Sequence, residues 1–265
     1  MADYSSFEKV LAVQEGRLLT LTFNRPEVRN AVGGGLHQDL DAIIELVRTD
    51  DTVGAILLKG NGKAFCAGGD IKEMSTAELT PPQRVDGIVH SKRLLYSMLE
   101  VEQPIICAVH GFALGLGATI ALFCDIVLAA EDAFFADTHV NVGLVAGDGG
   151  AVLWPLLLPF GQAKYHLLTG DRIYGTEAAR MGMIHKALPE AELFAEAEAL
   201  ARRLADGPTL ALKWTKKAVN QVLRERLDLC LEIGLALEGA TFLSEDFVEA
   251  STAFMEKRAP EFKGR

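Results

Sequence analysis

The feature of this sequence that most constrains its fold is a run of 21 uncharged residues from Pro104 to Cys124. A run of this length can cross a membrane as a helix, and Gly111-x-x-x-Gly115 matches a packing motif of such helices. However, its first part, PIICAV, is short and β-branched, the pair HG interrupts the run, and acidic residues flank it where lysine or arginine would anchor a membrane helix. The run therefore predicts a buried strand, a turn and a buried helix, and no membrane partner.

The first part of the chain alternates between strand patterns and helix patterns. After the strand pattern RLLTLT, the apolar residues Leu36, Leu40, Ile43, Ile44 and Val47 recur at helical spacing, with acidic residues on the opposite side. Such alternation predicts an α/β fold of ββα units with mostly parallel strand pairing. The predicted strands are RLLTLT, GAILLKGNG, PIICAV, DIVLAA and AFFAD.

The last third of the chain has a different pattern. From Thr176 onwards it is almost wholly helical, and a boundary is predicted near Asp206 to Pro208. We therefore divide the chain into a core, residues 1–206, and a helical region, residues 207–265.

Composition excludes several classes of function. The chain has a net charge of −10, and its lysines and arginines do not gather into a patch, so we expect no nucleic-acid partner. Cys66, Cys107, Cys124 and Cys230 show no CxxC spacing and are predicted to be free thiols in a reducing compartment. Neither disulfides nor a metal site are expected. The N-terminal residues include acidic groups and no basic leader, which predicts a cytoplasmic protein.

Two glycine-rich turns, FCAGGDIKEM at 65–74 and HGFALGLGAT at 110–119, each connect a strand pattern to a helix pattern. The second departs from the dinucleotide fingerprint because Ile120 replaces its third glycine, and GNGKAF lacks the spacing of a P-loop. N–H groups at a helix start are unpaired and carry the positive end of the helix dipole. Two of them converging on one oxygen would form an oxyanion hole. Alternatively, the glycines only permit tight packing of helix against strand.

Five segments resemble the enoyl-CoA hydratase/isomerase (crotonase) family in order and spacing, over nearly the whole chain: LTFNRPEVRNAV, GKAFCAGGDIKEM, PIICAVHGFALGLGATIALFCDIVLAA, VGLVAGDGG and LLTGDRI. The resemblance implies a crotonase-like spiral of ββα units with a helical C-terminal trimerisation region. It implies assembly as a homotrimer or as a hexamer, a dimer of trimers. It also implies acyl-CoA thioester chemistry, with coenzyme A as part of the substrate and no tightly bound cofactor.

The resemblance assigns roles to particular residues. The backbone N–H groups of Gly69 and Leu116 would hold the thioester oxygen. Lys72 would approach a phosphate of CoA, although a solvated lysine is the alternative, and Asp70 would sooner cap the following helix than act chemically. The ending EKRAPEFKGR is similar to family tails that cover the adenine bound to a neighbouring subunit, with a frayed terminus as the alternative. The residues implied to contact CoA are Ala67, Gly69, Asp70, Ile71, Lys72, Phe262 and Lys263.

The sequence departs from the family at its catalytic positions. Hydratases of the family use two glutamates to position and activate water, and the matching places here hold Thr119 and His139. Thr119 could still hold a water, and His139 suits proton transfer near neutral pH, although a lone histidine is more often structural. Asp148, between glycines in VAGDGG, is a further candidate base, acid or nucleophile, with a helix N-cap as the alternative. His110 is expected to make a structural hydrogen bond.

The first hypothesis is an acyl-CoA enzyme in which an oxyanion hole polarises the thioester, an enolate-like intermediate forms, and His139 or Asp148 moves the proton. Enoyl-CoA hydration/dehydration or double-bond isomerisation ranks first, and hydrolase, decarboxylase or dehalogenase chemistry ranks second. A non-catalytic acyl-CoA-binding paralogue is the hypothesis from a different class, because both glutamates are missing. The segment around 75–95, including STAELTPPQR as a predicted mobile loop, would form the wall for the acyl group.

Overall fold

The computed structural model describes residues 2–76 and 81–265, which form an α/β fold. The strands of this part are β1 (Val10–Glu15), β2 (Leu18–Phe23), β3 (Ala55–Gly60), β4 (Ile105–Val109), β5 (Phe112–Leu114), β6 (Ile126–Ala130), β7 (Phe134–Ala136), β8 (Ile173–Tyr174) and β9 (Lys186–Leu188). The helices are α1 (Leu36–Thr49), α2 (Ile71–Thr76), α3 (Pro81–Glu100), α4 (Leu116–Phe123), α5 (Gly150–Leu157), α6 (Phe160–Thr169), α7 (Gly175–Arg180), α8 (Glu190–Ala205), α9 (Thr209–Thr241) and α10 (Glu245–Glu256).

The strands form two sheets. The larger has the order β1-β2-β3-β4-β6-β9, and the smaller has the order β5-β7-β8. β1 is antiparallel to β2, whereas all later neighbours in the larger sheet pair in parallel. Parallel neighbours require crossover connections, and helices provide them between β2, β3, β4 and β6. The predicted mostly parallel pairing is therefore confirmed.

The uncharged run at 104–124 forms β4, the short strand β5 and α4, so the predicted order of strand, turn and helix is correct. Every residue of β4 is buried, as are all residues of α4 after Leu116. The run is apolar because it crosses the centre of the protein core. Within residues 2–76 and 81–265, no helix combines the length and the hydrophobicity needed to cross a bilayer.

Two sequence predictions about helices need correction. The stretch 75–84 was expected to be a loop, but its first two residues end α2 and residues 81–84 begin α3, while 77–80 lie outside the described residues. The pair Pro81-Pro82 suggested a loop, yet proline suits the first turn of a helix, where its missing N–H costs nothing. The C-terminal patterns TLALKWTKKAVNQVL and LDLCLEIGLALEGATFL predict two helices by themselves, but both lie on one helix, α9, which ends at Thr241.

Four strands are not predicted from the sequence: β1, which has six residues, and β5, β8 and β9. β5, β8 and β9 have only two or three residues, too few to show an alternating pattern. β9 interrupts the region that was expected to be almost wholly helical. By contrast, α1 buries all five apolar residues that predicted it.

The helical region packs closely against the core. Leu227, Leu231 and Leu235 of α9 belong to the same apolar cluster as the strands. The Arg17 guanidinium donates to the carbonyl oxygen of Ala205 at 2.9 Å and to Thr209 Oγ1 at 2.7 Å, across the predicted boundary. The division into 1–206 and 207–265 remains a prediction. The predicted boundary lies between the end of α8 at Ala205 and the start of α9 at Thr209.

Candidate active site

A cavity of about 310 Å³ lies where the two glycine-rich turns face α9. Part of its wall is a short 3-10 helix, His139–Val142, which follows β7. The lining residues include Gly69, Leu116, His139, Asp148 and Glu238, together with the histidines His37 and His90. The cavity therefore joins residues from the predicted core and from the predicted helical region.

The two glycine-rich turns are held side by side by a parallel bridge between Cys66 and Ala113. The Cys66 N–H donates to Phe112 O at 3.1 Å, and the Leu114 N–H donates to Cys66 O at 3.0 Å. A Cβ at Gly117 would lie 2.7 Å from Cys66 Sγ, so only glycine lets α4 approach the first turn this closely. Both readings of the glycines, tight packing and an oxyanion site, are compatible with this geometry.

Gly69 and Leu116 are each three residues beyond the bridge, on chains that run in the same direction, and both line the cavity. Leu116 is the first residue of α4, so its N–H has no partner within the helix. Gly69 pairs with Val32 through hydrogen bonds made by its neighbours, Gly68 O and Asp70 N, which leaves its own N–H on the other side. Both N–H groups therefore lack a partner within their own secondary structure on residues that line the cavity, and their role as an oxyanion hole remains a prediction.

His139 lies between two carboxylates. Its Nδ1 is 2.7 Å from Asp137 Oδ1, and its Nε2 is 3.2 Å from Asp148 Oδ2. Burial alone would lower the pKa of His139, but the Asp148 and Asp137 carboxylates outweigh it and raise this pKa well above its ordinary value. A raised pKa favours the imidazolium form, in which both ring nitrogens carry a proton and can donate to the two aspartates.

The Asp148 carboxylate is positioned by side chains on both sides. Thr119 Oγ1 donates to Asp148 Oδ1 at 3.4 Å, while His139 holds the other oxygen. The N-cap of α5 is Gly149, so these contacts, rather than a helix cap, account for the orientation of Asp148. Thr119 itself is fully buried and does not line the cavity.

Sequence analysis missed two acidic residues of this cluster, Asp137 and Glu238. Glu238 of α9 is buried, and its Oε2 has no hydrogen-bond partner in the described structure. α9 reaches the site because Gly147 packs directly on Gly234: a Cβ at Gly147 would overlap the Gly234 carbonyl oxygen and lie 2.7 Å from Glu238 Cβ. Gly234 inside a helical pattern signals close packing on α9, but it does not show which loop α9 meets or that Glu238 enters the site.

Burial raises the pKa of Glu238 to about 8, with the Asp148 carboxylate adding to the rise and the His139 imidazolium opposing it. Its carboxyl group is therefore mostly neutral at pH 7. A neutral carboxyl group donates a hydrogen bond as well as accepting one.

Ligand atoms of His139, Asp148 and Glu238 lie within 4.8 Å of one another, a spacing that a metal ion could bridge. A metal would have to displace the proton on His139 Nε2, which now bonds to Asp148. The arrangement fits a network of protons, and the absence of a metal requirement remains a prediction.

Comparison with known proteins shows the family of this chain. Residues 14–265 match the sequence model of the enoyl-CoA hydratase/isomerase family. The chain is 36% identical to a short-chain-enoyl-CoA hydratase of Clostridium acetobutylicum, covering 97% of this chain and 98% of that one. It is 34% identical to a 1,2-epoxyphenylacetyl-CoA isomerase of Escherichia coli, covering 97% and 99%. A solved enoyl-CoA hydratase/isomerase from Mycobacterium paratuberculosis superimposes with a TM-score of 0.88 at 34% identity, covering 94% and 99%. The chain belongs to the enoyl-CoA hydratase/isomerase family.

Some of the residues that the resemblance implies as CoA contacts line the cavity, and others do not. Ala67, Gly69 and Ile71 line the cavity, whereas Asp70 and Lys72 are not among the lining residues. The buried Asp70 carboxylate pairs with Arg25 Nη2 at 3.2 Å, a contact that the sequence did not suggest.

The C-terminal tail of this family member is attached to α10. The Lys263 N–H donates to Asp246 Oδ1 at 2.6 Å, and the Glu261 N–H donates to Glu249 Oε1 at 2.9 Å. Phe262 is about half exposed and lies outside the lining of its own cavity. Its role with Lys263 at a neighbouring subunit's adenine stays a prediction.

His110 makes the expected structural contact, with Nε2 2.9 Å from Gly62 O.

Proposed function

We propose that this protein moves the double bond of an enoyl-CoA thioester between the 3,4 and 2,3 positions. The observation that carries the proposal is the His139–Asp148 pair, 3.2 Å apart, in the same cavity as the Gly69 and Leu116 N–H groups. A base beside an oxyanion hole is what removal of a proton next to a thioester carbonyl requires.

In this mechanism the thioester oxygen accepts hydrogen bonds from Gly69 and Leu116. The Asp148 carboxylate takes a proton from C2 of a 3-enoyl-CoA, and the electron pair of that C–H bond moves into the thioester to give a dienolate. The double bond then re-forms between C2 and C3 as C4 gains a proton. His139, held by Asp137, stabilises the Asp148 carboxylate and fixes its direction.

The buried position of Thr119 favours isomerisation over hydration. Hydration requires a group that holds water beside the double bond, and Thr119, which stands at one glutamate position, is fully buried with its hydroxyl on Asp148. His139, Asp148 and Glu238 instead form one cluster, with their ligand atoms within 4.8 Å of one another. The relatives include both named hydratases and a named isomerase, so either reaction is consistent with the family.

The test is incubation with a panel of 2-enoyl-CoA and 3-enoyl-CoA esters in D₂O, followed by mass spectrometry. Isomerisation changes the double-bond position and introduces deuterium without adding water, whereas hydration adds the mass of one water. Asp148→Asn should lower turnover about 10² to 10⁴-fold, and Asp132→Asn, at an exposed aspartate, should leave it unchanged. Efficient hydration with no isomer formed would refute the proposal, and binding without turnover of any ester would indicate a non-catalytic paralogue.

We also propose that the protein assembles as a homotrimer or a dimer of trimers. One face of α9 exposes Val222, Leu229, Ile233 and Leu237, each at least half exposed. Apolar side chains in a row on a helix surface support burial against another subunit. Light scattering should give a trimeric or hexameric mass, and Ile233→Glu should reduce it. A monomeric mass for the unmodified protein would contradict the proposal.

The finer expectations about ligand and compartment follow from the same chemistry. CoA would be bound only as part of the substrate, with no cofactor retained after purification, which absorbance and mass spectra of the purified protein can check. Three of the four free cysteines are buried and Cys230 is half-buried, which supports a reducing compartment such as the cytoplasm.

A further inference from the structure

The Glu238 carboxyl group is the one acidic group of the cavity whose oxygen lacks a protein partner in the described residues. It lies within 4.8 Å of ligand atoms of both His139 and Asp148. Buried polar atoms are usually hydrogen-bonded, so an unpaired carboxyl oxygen on a residue that lines a cavity is a candidate contact for the ligand. Its helix, α9, is distant in sequence from the strands and turns that hold the rest of the site.

The charges around Glu238 determine whether its carboxyl group is neutral or ionised. The Asp137 and Asp148 carboxylates and the His139 imidazolium together carry one negative charge in a buried cluster. Ionising Glu238 would add a second negative charge beside Asp148, and two adjacent buried carboxyl groups cannot both ionise at little cost. The charged groups that act on Glu238 within the described residues are these same three, Asp148, His139 and Asp137.

We propose that Glu238 is the acid of the reaction and Asp148 is the base, so that two different carboxyl groups remove and deliver the proton. This rests on the isomerisation proposed above. Asp148 takes the proton from C2, and Glu238 gives its own proton to C4 of the dienolate. After one turnover Asp148 is protonated and Glu238 is ionised, so Asp148 then releases its proton to solvent and Glu238 takes up a proton from solvent. No proton is gained or lost overall, and the charge of the cluster is unchanged.

The two-group mechanism predicts a specific fate for an isotope label. A 3-enoyl-CoA deuterated at C2 transfers its deuterium to Asp148, while C4 receives a proton from Glu238, so in H₂O the product should contain little deuterium at C4. A single base would carry part of the deuterium from C2 to C4. In Glu238→Gln the acid is absent, so turnover should fall at least 10-fold and the C4 deuterium of the remaining product should rise.

The matched control is Glu225→Gln, at an exposed glutamate on the same helix, which should behave as the unmodified protein. Extensive transfer of deuterium to C4 by the unmodified protein, or no change in transfer in Glu238→Gln, would overturn the two-group assignment while leaving isomerisation intact. Absence of isomerisation on the whole panel would instead refute the proposed function.

A second measurement, which needs no turnover, tests whether the Glu238 carboxyl group is neutral. Infrared difference spectra between pH 6 and pH 10 should show that the carbonyl band of a protonated carboxyl group disappears as the pH rises. Labelling the glutamates with ¹³C should shift this band, which assigns it to a glutamate. The band should be missing in Glu238→Gln and present in Glu225→Gln. If the unmodified protein shows no such band at pH 6, Glu238 is ionised and cannot be the acid.

Discussion

Replacing Glu238 by glutamine should change how the stability of the protein depends on pH. Burial raises the pKa of Glu238 from 4.5 to about 8, with the Asp148 carboxylate adding to the rise. Above pH 4.5 the folded state therefore binds more protons than the unfolded chain, so the free energy of unfolding falls as pH rises. The fall is at most about 1.4 kcal/mol per pH unit, which over this interval gives a ceiling of about 5 kcal/mol. Glutamine does not titrate, so the variant should not show this loss.

The assay is urea unfolding of Glu238→Gln and the unmodified protein at pH 5, 7 and 8.5, at one protein concentration because assembly also affects stability. We expect the variant to gain at least about 2 kcal/mol relative to the unmodified protein between pH 5 and pH 8.5. Glu225→Gln, exposed on the same helix, should give a curve parallel to that of the unmodified protein. Parallel curves for Glu238→Gln as well would show that the Glu238 carboxyl is not held neutral, and the charge argument for the site would be wrong.

Other predictions concern the shape and chemistry of the site. Gly147→Ala should push α9 away from the Asp148 loop, destabilise the protein by about 1 to 3 kcal/mol and abolish turnover. The control is Gly161→Ala, at a position where a Cβ meets no atom. Unfolding and rate assays should show that this control keeps both stability and turnover. Crotonyl-CoA hydration, followed by absorbance, should be about 10² to 10⁴-fold slower than in relatives with two glutamates. Thr119→Val should keep turnover within about 10-fold, because Thr119 does not line the cavity. EDTA should leave the isomerisation rate unchanged.

Local patterns in the sequence were enough to predict much of the fold. α1 was predicted from five apolar residues at helical spacing because one face of it meets the core. The uncharged run was assigned to the core correctly, since its β-branched first part and the HG pair marked a strand and a turn. Strands of two or three residues could not be found in this way, because their position depends on neighbours distant in sequence.

The site was predictable where its residues are close in sequence. His139 and Asp148 are nine residues apart, and the structure brings them into contact across the turn at Gly143, which has a positive φ of 71°. Asp137 is two residues before His139 and could have been included. Glu238 could not, because helical periodicity shows which face of α9 is buried and not which loop that face meets.

The position of Glu238 connects the chemistry of the site to the outer surface of α9. Leu231, Leu235 and Glu238 point inward, whereas Ile233 and Leu237 are at least half exposed on the same turns of the helix. Because these residues lie on consecutive turns of one helix, a subunit packed on the exposed face would also fix the depth at which Glu238 enters the cavity. The Gly147–Gly234 contact supplies the restraint from the inner side. Assembly would then contribute to activity by holding an acid within reach of the substrate, even though no residue of the exposed face touches it.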